Sequence, residues 1–349
     1  MLDTGRLSVA GVDSSKSLLL QGIWQAVQAY NAIPSDNVQT TLPKVALALD
    51  AVAFGVGRYL TSKPPQGTVT NTKRWNALRG LAEGLGKEAD RRGIRLLKGP
   101  TDYKKIAGGH ATQSYWLERI DPQHRVGFEL SQRWQGWLSD PAAKTSKQSF
   151  WAFIGTVDVP SEAQQFVKYY PNLTGNLAAE HTVHFENDDL MDSHGQPLST
   201  ALMSTAFSGL GWAIFVCGPD WKMYANSHEV GKHHHSSFLA GGAVAAAGEL
   251  VVNNGMVMCV TAKSGHYTPT PENIRNFLRK FQQIPGGALV RPSLLDLKDH
   301  NEARFYWAWQ YRESGLSAPV LRRGSVLATL PHFARQSTEA LAMLARVPA

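Results

Sequence analysis

Cysteine is nearly absent: Cys217 and Cys259 are the only two in 349 residues. Both lie in apolar runs, AIFVC and VMCV, where a free thiol behaves as a small buried hydrophobe. A disulfide-stapled scaffold is therefore excluded, and the redox compartment stays open. A signal peptide is missing too, because MLDTGRLSVAGVDSSKSLLL lacks the charged-then-apolar order of one. No run approaches the roughly 20 apolar residues needed to cross a bilayer; the longest, FLAGGAVAAAGELVV, is interrupted by Glu249. These absences predict a soluble protein, cytoplasmic or exported by a secretion system that needs no cleaved signal. Repeats, low-complexity tracts and RNP, zinc-finger or basic-helix signatures are also lacking, which disfavours nucleic acid as a partner. The formal charge of +7 points instead to an acidic protein partner.

What is present describes an ordered globular chain: 43% hydrophobic and 18% charged, with ten Trp, ten Tyr and 13 Phe to fill cores. Leu18, Ile23, Val27 and Tyr30 recur at helical spacing, as do Leu42, Val45, Leu49, Val52, Val56 and Leu60. A third set, Trp75, Leu78, Leu81 and Leu85, ends near Gly93. This third helix is basic (Lys73, Arg74, Arg79, Lys87, Arg91, Arg92 and Arg95). Alternation typical of strands starts near His181 and returns at Trp212–Val216. Asn254-Gly255 between VV and MVMCV is a hairpin signal. PENIRNFLRKFQQI reads as an amphipathic helix with Pro271 in its first turn. The expected architecture is α+β. A helical module (1–110) precedes a mixed, mostly antiparallel sheet domain (111–298), and a C-terminal helical extension (299–349) follows.

Chemistry-bearing residues gather in three places. His233, His234, His235, Ser236 and Ser237 precede the hairpin; Ser264, His266 and Tyr267 follow it. The turn Asp121-Pro122-Gln123-His124-Arg125 joins an acid, an imidazole and a guanidinium, with Glu118 just upstream. If the hairpin folds the first two patches together, several chemistries fit them. A strand would put His233 and His235 on one face, with His266 as a third zinc ligand, although His234 would point away. Ser236 or Ser237 with His266 would suit a hydrolase, but no G-x-S-x-G elbow exists.

Three blocks resemble one family: YWLERIDPQHR at 115–125, WAIFV at 212–216, and HHSSFLAGGAVAAAGELVVNNG with SGHYTPTPENIRNFL at 234–278. They are similar to the conserved domain of the plant IQ-motif calmodulin-binding (IQM) proteins, over about residues 115–297. The sequence itself contains no IQ motif, so the resemblance does not carry calmodulin binding over to it. Among catalytic readings, the matched residues best suit an effector-like or toxin-like transferase on a nucleotide ligand such as NAD. In ADP-ribosyl transfer, His235 and Ser236 would hold ribose and Tyr267 would stack on the nicotinamide. Glu249 or Glu118 would stabilise the oxocarbenium-like centre, and Asp121, His124, Arg125 and Ser264 would bind the rest. The alternative is a non-catalytic interaction module in which these polar groups form a satisfied internal network. Exposure discriminates: an open cleft favours the enzyme, burial against backbone favours the module.

Overall fold

A computed structural model describes residues 1–35, 41–62, 68–96, 139, 180–229, 233–239, 242–265, 267–281, 294–298 and 303–349. The chain forms two compact units, Met1–Val167 with Gly241–Ala243, and Lys168–Ala240 with Val244–Ala349. Among the described residues no helix is long and apolar enough to cross a membrane.

In the first unit the described helices are α1 (Gly5–Val9), α2 (Leu18–Asn31), α3 (Leu42–Ser62) and α4 (Val69–Arg91). The expected periodicities become buried faces: Ile23, Val27 and Tyr30 on α2, and Trp75, Leu78, Leu81, Leu85 and Ala89 on α4. On α2, Leu20 takes the place of Leu18, which is exposed in the first turn. The last helix starts six residues before Trp75, because the Thr68 hydroxyl caps it by accepting from the Asn71 N–H (3.4 Å). A Cβ on Gly55 would come 2.7 Å from Ile23 Cγ1, so α3 meets α2 closely there. Tyr30 donates to Glu88, which also accepts from Arg91 (2.6 and 2.9 Å). Those Arg91 bonds hold the Glu88 carboxyl down at about 2.

The second unit contains β1 (Thr182–Glu186), β2 (Asp189–Met191), β3 (Ser204–Thr205), β4 (Gly209–Leu210), β5 (Ala213–Cys217) and β6 (Met223–Asn226). After the helical turn α5 (His235–Phe238) come β7 (Ala246–Asn253), β8 (Met256–Thr261), α6 (Pro271–Phe281), β9 (Leu294–Lys298) and β10 (Ala303–Trp307). Helices α7 (Ala308–Ser314), α8 (Arg323–Thr329) and α9 (Thr338–Ala345) complete it. Eight strands form one sheet in the order β10-β9-β8-β7-β5-β6-β1-β2, antiparallel except for β8–β9, and β3–β4 stand apart as a hairpin. The molecule is thus α+β, as the patterning implies. Parallel β8 and β9 require a crossover, and α6 lies on it.

The Asn254-Gly255 turn joins β7 to β8, both residues having positive φ (48° and 83°) as a type I′ turn demands. A register shift at Val251/Val252 leaves Met258 as the extra residue of a bulge. All five residues of β5 and seven of the eight in β7 are buried, so both strands are covered on two faces. One core gathers Phe215, Leu250, Ile274 and Phe277; the other gathers Trp212, Val251, Phe305, Val326 and Leu344. Cys217 and Cys259 are free and fully buried, which pushes both thiols far above their ordinary range.

Gly248 marks the tightest approach in the sheet: a Cβ there would lie 1.9 Å from the Thr261 backbone oxygen. Backbone in a paired strand cannot move aside cheaply. Gly248→Ala should therefore cost about 3 kcal/mol, the upper part of the usual overpacking range. Urea denaturation would show this as a lowered midpoint.

Candidate functional site

The HHHSS block does not continue as a strand. His233 forms an antiparallel bridge with Glu229, and His234 then caps the single helical turn His235–Phe238. The expected alternation of His233, His234 and His235 is thereby replaced by helical geometry. The local reason is a reciprocal contact: the Ser237 hydroxyl accepts from the His234 N–H (2.9 Å), closing the turn on itself. His235 is 2% exposed, and its Nε2–H donates to the Gly248 carbonyl (2.8 Å), the same residue that abuts Thr261. Ser236 and Ser237 are buried, and the Ser236 Oγ has no hydrogen-bond partner among the described residues. Tyr267 is completely buried, with its N–H directed to Ser264 Oγ (3.4 Å). Glu118, Asp121, His124, Arg125 and His266 lie outside the described residues.

Around this turn the imidazoles form a connected array. The Ala206 N–H donates to His228 Nδ1 (3.2 Å), so His228 carries its proton on Nε2 and gives it to His234 Nδ1 (2.9 Å). Phe207 stacks on His228, with ring centres 6.4 Å apart. His233 Nδ1–H donates to the Ser227 carbonyl (3.2 Å), and its ring meets Phe238 edge-on at 4.7 Å. Burial, above all, pulls the His233 pKa down to about 4, with His181 and His228 also opposing its charge. No group of three or more His, Cys, Asp or Glu among the described residues is placed to hold a metal ion.

A second polar cluster lies deeper. Glu249 interrupts the apolar β7 and is fully buried; its Oε2 accepts from Ser208 Oγ (2.5 Å). Ser208 Oγ in turn accepts from Lys263 Nζ (3.1 Å), and that ammonium sits 2.7 Å from Asp296 Oδ2. The β8–β9 pairing sets Thr261 beside Asp296, and the β7–β8 ladder continues to Glu249, whose N–H donates to Thr261 Oγ1 (2.9 Å). Lys263 also contacts Met343 Sδ (2.9 Å) and stands 5.4 Å from the Trp212 ring centre. Burial raises the Glu249 carboxyl, against Lys263 and Ser208. Burial opposes the Lys263 charge, but Asp296 and Glu249 outweigh it and its pKa is raised. Burial thus works against charge on Glu249, while Lys263 and Asp296 compensate one another directly. Sequence reading singled out Glu249 alone. Lys263 and Asp296 carry a weaker signal, each being a lone charge at the end of or inside an apolar run (VTAKSG, LLDLK).

With that geometry in view, residues 179–274 match the family model described as the IQ motif-containing protein middle domain. Those residues are an IQM middle domain. Three relatives from Arabidopsis thaliana illustrate the likeness. The IQ domain-containing protein IQM2 is 33% identical over 219 residues, which are 60% of this chain and 33% of that protein. IQM4 is 32% identical over 249 residues (68% and 40%), and IQM3 is 30% identical over 212 residues (60% and 43%). The chain thus spans well under half the length of these relatives. No solved structure matches it.

The family match overturns the expectation of an effector-like or toxin-like transferase using NAD, since the relatives are IQ domain-containing proteins. The geometry of the IQM domain agrees. The imidazole meant for ribose is bonded to backbone, and the ring meant for nicotinamide is sealed in the core.

Two outcomes follow from the two clusters. His233 has a folded pKa below its ordinary 6.5, so the unfolded chain binds more protons between about 6.5 and 4. Stability is full above that window and declines as pH falls through it, by up to roughly 3 kcal/mol. Urea titrations at pH 7 and 4.5 should show this loss, and His233→Asn should flatten it. In the charge cluster, Lys263→Met strands Asp296 and should cost about 3–5 kcal/mol. Glu249→Gln should stay within about 1.5 kcal/mol, because the carboxyl it replaces is already driven towards neutrality. Thermal melts of both variants make the comparison.

Proposed function

We propose that this chain is a non-catalytic protein-interaction module built on the IQM domain. The observation that carries this reading is the His235–Gly248 contact: the imidazole meant for ribose is engaged in an internal bond of the fold, and Tyr267 is fully buried. Polar groups paired inside a core rigidify it and favour one conformation. The binding surface must then lie outside the block of matched histidines and serines.

A positive surplus of seven suits an acidic partner, and the family likeness points to one of calmodulin type. This replaces the expectation, drawn from the missing IQ motif, that calmodulin binding is not supported. Contact would be made by surfaces other than an IQ helix. The basic α4 is not a free target helix, because Trp75, Leu78, Leu81 and Leu85 are already buried. In this reading a helical module (1–110) and a C-terminal helical extension (299–349) flank the sheet domain (111–298). On the same reading the module works in an aqueous compartment.

Calorimetric titration with purified calmodulin, calcium-loaded and calcium-free, tests the partner class. A micromolar complex, roughly −8 kcal/mol, is expected in at least one calcium state, weakening as salt is raised. Absence of binding in both states at low salt would overturn the calmodulin-type assignment.

A further inference from the structure

The C-terminal helices enclose a groove of about 430 Å³ between α8, the turn His332–Arg335 and α9. Its floor is apolar, made of Leu327, Leu341 and Leu344, and its rim carries two cations, Arg323 and Arg335, beside His332 and Gln336. No carboxylate lines it. From residue 318 to 349 the side chains include four arginines (Arg322, Arg323, Arg335 and Arg346) against one acid, Glu339. Leu341 is 57% exposed, an uncovered apolar side chain inside this positive rim.

The two rim guanidiniums are already oriented. Arg323 donates through Nη2 to the Ala345 and Val347 carbonyls (2.7 and 2.9 Å), which bind it to the end of α9. Arg335 donates through Nη1 to the Leu327 carbonyl (2.8 Å), while its Nε is buried with no hydrogen-bond partner among the described residues. Arginine carries five donor hydrogens in a planar fork, so holding one edge leaves another presented in a set direction. Side chains ordered in advance lose less entropy when a ligand arrives.

We propose that this groove docks an acidic amphipathic segment of a partner protein, a role that rests on the interaction-module reading above. Leucine- or phenylalanine-like side chains of the segment cover Leu327, Leu341 and Leu344. Its flanking carboxylates face Arg323 and Arg335. A rim with two arginines and no carboxylate rejects a basic segment by like-charge repulsion, so sign supplies the specificity.

The test is fluorescence anisotropy with the full chain and a labelled peptide of ~14 residues, with Leu and Phe at helical i, i+3, i+4 and i+7 spacing and Glu elsewhere. The acidic peptide should bind, and a version with Lys for every Glu should not. Leu341→Glu and Gln336→Glu replace exposed residues at the groove, so both variants should melt like the parent chain. Each should weaken the acidic peptide by about tenfold or more, and the double variant should gain affinity for the Lys peptide. No binding of the acidic peptide, equal binding of both peptides, or indifference to both substitutions would overturn the groove. If calmodulin still binds the chain while the peptide does not, the groove is wrong and the module reading stands; if neither binds, both fall.

Discussion

An ammonium ion buried away from water must be neutralised where it sits, and Lys263 imposes that demand on the second unit. It draws Asp296 from β9, Ser208 from the loop between β3 and β4, and Met343 from α9 to one point. Glu249 on β7 joins through Ser208. A parallel strand, a central antiparallel strand, a hairpin and a terminal helix are thereby held together by one charge. Such a cluster is weak evidence for stability, because desolvating the ions offsets much of their attraction. It is stronger as a device of register: slipping β9 by one residue would turn Asp296 to the other face and leave Lys263 alone.

The same frame explains the small hairpin. Ser337 caps α9 by accepting from the Ala340 N–H (3.0 Å) and donates its own proton to the Ser208 carbonyl (2.9 Å). Gly209, at φ 77°, lies so close that a Cβ would come 2.2 Å from Ser337 Oγ. Trp212 Nε1–H reaches the Ala334 carbonyl (2.8 Å). The C-terminal helices that wall the cationic groove are thus tied to the buried cluster.

The matched histidine and serine block shows how resemblance and chemistry can point in different directions. Residue types that suit catalysis also suit a compact hydrogen-bonded corner, because imidazole and hydroxyl both donate and accept. Here the corner prevails, since one helical turn brings Ser237 back to the His234 amide and aims His235 at a strand carbonyl. The relatives' IQ designation and this geometry both speak against the NAD-dependent transferase expected from those residues.

Local pattern was enough for elements whose cause is local. Apolar residues every three or four positions give α2, α3 and α4, and an Asn-Gly pair gives the β7–β8 turn, because each follows from a few neighbouring dihedral angles. The long HHSSFLAGG block was enough to name the relatives. Only the tertiary structure decided that His233 to His235 leave the strand for a capped turn, that Tyr267 is sealed in, and that Lys263 and Asp296 are partners. Those outcomes depend on which groups lose their water together. Pairing Ser208 with Glu249, 41 residues apart, or Lys263 with Met343, 80 apart, leaves no periodic trace along the chain.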